Sequence, residues 1–287
     1  MNLDDYKLTG NKKIDLGEIP TTEGKTDENE KIRDEVIPPL VDRLQLLHQK
    51  LNAEEKHGIL VVLQALDAAG KDESISYIFS NLNAQGLKVT TFGKPTEVEQ
   101  KHDYLWRMMP ALPARGEIGI LNRSHYEEVI APRVHDNVLL DGDYPAGVDE
   151  ESIWPMRYKQ IKNYEKYLHD NNIHVVKFFF HMSKDEQKRR LLERMKDPDK
   201  QHEFSFSDVE EREYWDKYQE VFEDMLNETS TEYSPWYVLP ADDEWHTRRL
   251  VNEAMIDLME KLDPKFPEMT GEEKEKLEEY IEKLESE

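Results

Sequence analysis

The sequence predicts an α/β fold: a parallel sheet of about five strands, covered on both faces by helices. Three observations predict it. The runs GILVVLQAL at 58–66 and VVKFFFHM at 175–182 are apolar at most consecutive positions, Gln64, Lys177 and His181 apart, as strands buried on both faces are. Each strand-like run is followed by residues at helical spacing, the alternation of a doubly wound sheet. The length of 287 residues suits one large domain, and 9 Phe, 13 Tyr and 5 Trp can build its core despite 37% hydrophobic content.

In chain order, residues 1–30 are polar and dotted with Gly10, Gly17, Pro20 and Gly24, which predicts an extended or loosely ordered arm. Val36, Leu40, Leu44, Leu47 and Leu51 mark a helix over 29–51, with Pro38-Pro39 placed to break or delay its start. After the strand at 58–66, Ile75, Ile78, Phe79 and Leu82 mark one face of a helix over 70–83. A strand follows at 87–92. Thr96 and Glu99 form a capping-box pattern for a helix running to 109. The short strand 117–121 leads to a helix starting near Ser124, and a long helix covers 153–172. Ser183 with Glu186, and Ser207 with Glu210, cap the two helices after the strand 175–182. The last strand is 236–239 and the last long helix 244–262. Beyond Pro264, residues 268–287 carry nine Glu and three Lys, with Thr270 and Glu273 as a start signal and Leu277, Ile281 and Leu284 as a narrow apolar stripe.

Charge excludes a globally basic nucleic-acid binder, because 38 Lys and Arg stand against 62 Asp and Glu, a formal −24. No apolar run approaches the roughly 20 residues that span a bilayer, so no membrane partner is expected. The start, MNLDDYKLTGNKK, lacks a signal-peptide core, and zero cysteines exclude disulfides, thiolate zinc sites and cysteine nucleophiles; a cytoplasmic protein fits.

The chemistry is concentrated in two places. The first strand runs into Ala65-Leu66-Asp67-Ala68-Ala69-Gly70-Lys71-Asp72. A phosphate loop needs a strand, a turn with inward amides, a lysine and a helix N-terminus. Gly70 supplies the permissive backbone, and Lys71 opens the helix where it reaches phosphate oxygens. The usual pattern has Gly where Ala65 stands and Ser or Thr where Asp72 stands, so an ordinary strand-to-helix connection competes with this reading. Asp67 inside the loop would repel phosphate unless a metal or a transferable proton intervenes, which favours Mg²⁺-bridged chemistry. At the second strand end, Asn122-Arg123-Ser124-His125-Tyr126-Glu127-Glu128 would face the same crevice as Lys71. Arg123 is a candidate phosphate clamp, and Glu127 or Glu128 a holder of metal or water. Against this, Ser124 as a helix cap with two glutamates at the helix start explains all but Asn122 and Arg123.

These two segments, with Leu112-Pro113-Ala114-Arg115-Gly116-Glu117, Tyr158-Lys159-Gln160-Ile161, Phe178-Phe179-Phe180-His181-Met182-Ser183-Lys184-Asp185-Glu186-Gln187 and Trp236-Tyr237-Val238-Leu239-Pro240-Ala241-Asp242, closely resemble the polyphosphate kinase 2 family over roughly 30–263. The resemblance implies a P-loop kinase-like three-layer α/β/α domain over 31–263 with a helical lid at about 183–212, followed by an acidic helical tail at 264–287. It implies transfer of the terminal phosphate of inorganic polyphosphate to a nucleotide, or the reverse, with Mg²⁺ (or Mn²⁺ in its place). Asn-Arg-Ser-His-Tyr-Glu is most similar to the branch accepting AMP and ADP, with ATP as product and GDP or GTP left open. A homo-oligomer is also implied. By position, Asp67 and Lys71 match the loop's catalytic aspartate and phosphate-binding lysine; Ala68, Ala69, Gly70 and Asp72 complete the loop, and Asn122 and Arg123 form the second pair. Asp67, Glu127 and Glu128 are the candidate metal carboxylates.

The helix after Ser183 carries Lys184, Lys188, Arg189, Arg190, Arg194 and Lys196. Arg190 and Arg194, four apart, share one face. Alone, such a helix is a solvated face paired with Glu186 and Glu193. The family's lid matches this segment, which makes Arg190 and Arg194, ahead of Arg189, the residues to close over phosphate. Arg107, Arg115, Arg133 and Arg157 are either channel residues or surface ion pairs, and Trp215, Trp236 and Trp245 are expected in the core. Four residues depart from the family pattern: Ala65 and Glu73 replace glycines, Glu128 an aspartate and Glu203 a lysine. Two rivals therefore stand beside polyphosphate transfer: an ATP-using kinase of the same fold, and a phosphate-binding module without turnover.

Overall fold

The computed structural model describes residues 2–23, 28–135 and 147–287. Five strands run parallel, β2 (Gly58–Gln64), β3 (Leu87–Thr91), β4 (Ile118–Asn122), β5 (Ile173–His181) and β6 (Trp236–Pro240). A sixth, β1 (Lys7–Leu8), lies antiparallel against β6, so the sheet order is β1-β6-β5-β2-β4-β3. The chain leaves central β2 towards β3 and β4 on one side and returns to β5 and β6 on the other. A crevice therefore opens beyond the carboxyl end of β2.

Alternation along β2 builds both cores. Ile59, Val61 and Leu63 point to a layer formed by α2 (Ile37–Glu54), α3 (Lys71–Phe79) and α9 (Glu244–Leu262). Leu60 and Val62 point to the opposite layer, formed by α4 (Glu127–Val134), α5 (Glu150–Asp170) and α8 (Trp215–Thr229). Among the described residues no helix is long and apolar enough to cross a membrane. The lid segment holds α6 (Lys184–Lys196) and the short α7 (Phe206–Glu210), and α10 (Gly271–Glu285) buries none of its residues.

Four local expectations change. The described part of the N-terminal arm is built into the fold. Leu16 is buried, Thr21 and Thr22 donate to Asp242 and Asp243 at 2.8 Å, and Lys7–Leu8 extends the sheet; residues 24–27 lie outside the described residues. Pro38-Pro39 does not break its helix, because it occupies the first turn of α2, where missing amide protons cost nothing. The irregularity falls earlier, in a π turn (Ile32–Val36) after α1 (Asn29–Lys31). The Thr96–Glu99 box forms, yet it opens only 3-10 turns, Glu99–Lys101 and Trp106–Ala111. Asp103 accepts from the Leu105 amide and so diverts the backbone, and Pro110 follows. Ser207 is inside α7 rather than its cap, and the helix resumes as α8 only after a 3-10 turn at Glu211–Tyr214.

At the amino end of the sheet, far from the crevice, His57 Nδ1 and His174 Nε2 are 3.0 Å apart, with His169 edge-on. Burial, reinforced by the other two imidazoles, pushes His174 down to about 4. An unfolded histidine titrates near 6.5, so the native chain binds fewer protons between those values. Stability is complete above about pH 6.5 and falls as pH drops towards 4, by about 1–2 kcal/mol once partial exposure is allowed for. His174→Phe should flatten the fall in melting temperature between pH 7 and 4.5; equal slopes in variant and wild type would refute this.

Candidate active site

Register sets the geometry. Leu63 pairs with Asn122 and Gln64 with Phe179, so β2 and β4 end within one residue of each other, β5 runs on to His181, and the turn leaving β2 faces Arg123. Ala68 and Gly70 take left-handed backbone, φ 64° and 89°, curling the turn back to open α3 at Lys71. No side chain caps that helix start, which leaves its first amides pointing into the crevice. Lys71 is 7% exposed, and its Nζ donates to the carbonyls of Ala65 (2.9 Å) and Leu66 (3.2 Å). Burial pushes its ammonium down, opposed by the charge of Asp67. Ala65 is not among the left-handed residues, so the methyl group where the family has glycine introduces no backbone strain.

Arg123 also sits in the left-handed region, φ 61°. For a non-glycine residue this costs about 1–2 kcal/mol. It turns the guanidinium onto the loop, where Nη2 donates to Asp67 Oδ1 at 2.9 Å. Burial opposes the Arg123 charge, but Asp67 and Glu127 outweigh it and leave the group above its ordinary value. Asn122 Nδ2 donates to Asp72 Oδ1 at 2.5 Å, tying the second strand end to the first turn of α3. Glu127 accepts from Gln64 Nε2 at 2.6 Å; burial pushes its carboxyl up, against Arg123, Gln64 and Lys71. The charge of Glu128 bears on Tyr104, and its carbonyl accepts from Arg157.

Among the described residues no three His, Asp or Glu side chains are grouped to hold a metal by themselves. Magnesium does not require that. It keeps several waters and takes one or two carboxylates plus substrate phosphates. Asp67, partly exposed beside the loop, with Glu127 near Lys71 and Arg123, fits that donor number.

The lid reaches the same loop. Ser183 Oγ accepts from the Glu186 amide and caps α6. One turn on, Arg190 spans the site, donating to the Ala68 carbonyl (3.2 Å), the Ala241 carbonyl (2.6 Å) and Glu186 (2.7 Å). Arg194 reaches α3 through Glu73 at 3.2 Å. Arg189 is on the outer face, paired with Glu186 and Glu193. Thus Asp67, Lys71, Asp72, Asn122, Arg123 and Arg190 converge, with Arg194 one turn away. Arg107, Arg133 and Arg157 are instead engaged by the Gly93 carbonyl, Asp224 and the Glu128 carbonyl, and Arg115 precedes β4 at the opposite end of the sheet. Trp215 and Trp236 are buried, and Trp245 packs edge-on to Tyr77.

Several site residues carry no sequence signal of their own. Gln64 holds Glu127, and Gln187 donates to the Asp67 carbonyl at 3.1 Å while its own Oε1 accepts from Arg212 at 2.5 Å. Burial and the charge of Asp67 push the Asp208 carboxyl of α7 up. Only the spacing of Gln187, three residues before Arg190 on one helical face, could have singled it out. Below the site, Tyr126 donates to Glu165 at 2.7 Å, and Lys177 pairs with Glu165 at 2.7 Å and donates to the Thr229 carbonyl at 2.9 Å. Glu165 and Lys177 are wholly buried.

Comparison with known proteins gives one answer. The profile of the family described as Polyphosphate kinase 2 matches residues 27–267. The chain is 43% identical over 266 residues to the ADP-polyphosphate phosphotransferase of Rhodopseudomonas palustris, covering 92% of each chain. It is also 43% identical over 234 residues to the AMP/ADP-polyphosphate phosphotransferase of Meiothermus ruber, covering 82% of this chain and 84% of that one. The crystal structure of a polyphosphate kinase 2 from Arthrobacter aurescens superposes with a TM-score of 0.86 at 31% identity over 97% of both chains.

The two buried lysines should respond oppositely to loss of charge. Lys177 leaves Glu165 buried and uncompensated when removed, so Lys177→Met should cost about 3–5 kcal/mol in denaturant unfolding. Lys71 donates to two carbonyls in a site shaped for a ligand, so Lys71→Met should unfold at or above the wild-type midpoint. A large loss of stability from Lys71→Met would show that the ammonium holds the loop together.

Proposed function

The chain belongs to the polyphosphate kinase 2 family, and from that premise we propose that it moves phosphoryl groups between inorganic polyphosphate and AMP or ADP, reversibly. One arrangement carries the site assignment: Arg123 from β4 and Arg190 from the lid both bond the loop that Lys71 and the uncapped start of α3 complete. Phosphoryl transfer asks a protein for positioning and charge stabilisation, and three cations around one loop supply both.

In this reading the α3 amides and Lys71 bind the transferring phosphoryl group. Arg123 and Arg190 exchange their present partners for its oxygens and stabilise the charge that spreads over them in the transition state. Asp67 is the carboxylate placed to orient the acceptor phosphate or take its proton, and Gln187 holds the Asp67 backbone in position. Asn122 and Asp72 keep the two strand ends in register. The lid helices exclude water. Asp67 with Glu127 would hold Mg²⁺ (or Mn²⁺), which would supply neutralisation of phosphate charge. Glu128, whose charge bears on Tyr104, is the alternative to Glu127 as second carboxylate. Asp72 stands where an ATP-using loop carries the magnesium-binding hydroxyl, which supports polyphosphate over ATP as donor. The unit 31–263 with its lid at about 183–212 is proposed as the catalytic domain, acting in the cytoplasm as a homo-oligomer with 264–287 as an appended acidic helix.

With Mg²⁺ and long-chain polyphosphate, purified protein should convert AMP to ADP and ADP to ATP. Arg123→Ala and Lys71→Met should each lower kcat by about 10²–10³, the usual cost of removing one stabiliser of transition-state charge. Nucleotide formation from polyphosphate, followed by chromatography, is the measurement. An inactive wild type, or a Lys71→Met variant with full activity, would sink the reading.

A further inference from the structure

Beside the loop, an open cavity of about 920 Å³ runs along α3, lined among others by Asp72, Glu73, Tyr77, Arg194, Glu203 and Arg248. Its two arginines are held differently. Arg248 is buried, packed over Trp245 and Tyr77 with its carbon 4.4 and 4.8 Å from the ring centroids, and paired with Glu244. Arg194 is mostly covered too, at 16% exposed, but it pairs with two surface carboxylates. Nη2 is 3.2 Å from Glu73 and Nε 3.5 Å from Glu203, and those carboxylates are 45% and 44% exposed. One belongs to the helix of the phosphate loop, the other to the turn Gln201–Glu203 that follows the lid helix.

A guanidinium presents a planar fork that carboxylate and phosphate oxygens occupy in the same way. Two carboxylates on one guanidinium therefore occupy the positions an incoming phosphate needs, and they leave the local charge negative. Half-exposed ion pairs are weak, so both side chains can swing into water at small cost.

We propose that Glu73 and Glu203 are built-in competitors for the donor anion at Arg194, and so set how tightly this chain binds polyphosphate. The inference rests on the expectation, implied by the resemblance of α6 to the family's lid, that Arg194 closes over phosphate, and adds to it the two residues that oppose that role. A donor chain must displace both carboxylates, and the surrounding acidity makes its approach less steered. Neutralising them leaves the fork open and the cavity positive.

The test is steady-state kinetics with polyphosphate as the varied substrate for Glu73→Gln, Glu203→Gln and the double variant, beside Arg194→Ala. Each single amide substitution should lower KM for polyphosphate about twofold to fivefold, the scale of a half-exposed ion pair, and the double variant by about tenfold. kcat and KM for the nucleotide should stay within twofold, and the gain should shrink in high salt, where screening removes the difference in charge. Calorimetric titration with long-chain polyphosphate in the absence of nucleotide should give the same order of affinities. An unchanged polyphosphate KM and affinity in the double variant, with Arg194→Ala weakening both, would overturn the inference and leave the functional reading intact. Unchanged values in Arg194→Ala as well would remove the phosphate role of Arg194, and this inference with it.

Discussion

The buried ion pair between Lys177 and Glu165 is the constraint on which the second strand end depends. Neither side chain touches solvent, and the pair lies between β5 and α5 in the layer that also holds α8. Burial raises the Glu165 carboxyl, but the charge of Lys177 and its hydrogen bond, with the His125 ring 3.5 Å away, outweigh it and leave the carboxyl below its ordinary value. A charge placed there is tolerated because its lone pairs are filled, by Lys177 on one oxygen and by Tyr126 on the other. Tyr126 is thereby fixed only three residues beyond Arg123. The strained backbone at Arg123 persists because Asn122, bonded to Asp72, and Tyr126, bonded to Glu165, hold the segment from both sides. A guanidinium on an unanchored turn would relax to ordinary backbone and leave the loop.

How much of this is legible in the sequence depends on how local the cause is. The parallel strands are legible because burial on both faces demands apolar residues at consecutive positions, as along 58–64, and the caps at Ser183 and Thr270 because an oxygen and an amide three residues apart need no tertiary partner. The loop and Arg123 are legible as motif. β1 is not: two residues are too few to show alternation, and Lys7–Leu8 is a strand only because the edge of β6 accepts it. The Thr96 box misleads for the converse reason. Its local bonds form, but Asp103 offers the next turn a competing partner. Gln64, Gln187 and Asp208 are illegible in a stronger sense. A neutral amide or a lone carboxylate acquires its role from what register and lid packing bring beside it, and spacing encodes no more than that Gln187 shares a helical face with Arg190.

Charge resolves on the same principle of local against global. The formal −24 excludes a basic polyanion binder and says little about the crevice, since screening limits each group to a range of about 8 Å. The nine Glu and three Lys of 268–287 belong largely to α10, which is exposed along its whole length. Within the crevice every cation already has a partner: Lys71 its carbonyls, Arg123 Asp67, Arg190 Glu186 and two carbonyls, Arg194 Glu73 and Glu203. Positive charge held this way is oriented before any ligand arrives, so a phosphate replaces existing acceptors instead of ordering loose side chains. The carbonyls and carboxylates then differ in consequence. Carbonyls position a cation without cancelling it, as at Lys71, whereas carboxylates cancel it until displaced, as at Arg194. An acidic protein can therefore hold a dense polyanion, provided Lys71 at the helix start is held by carbonyls alone and the arginines around it give up their carboxylates as the phosphate arrives.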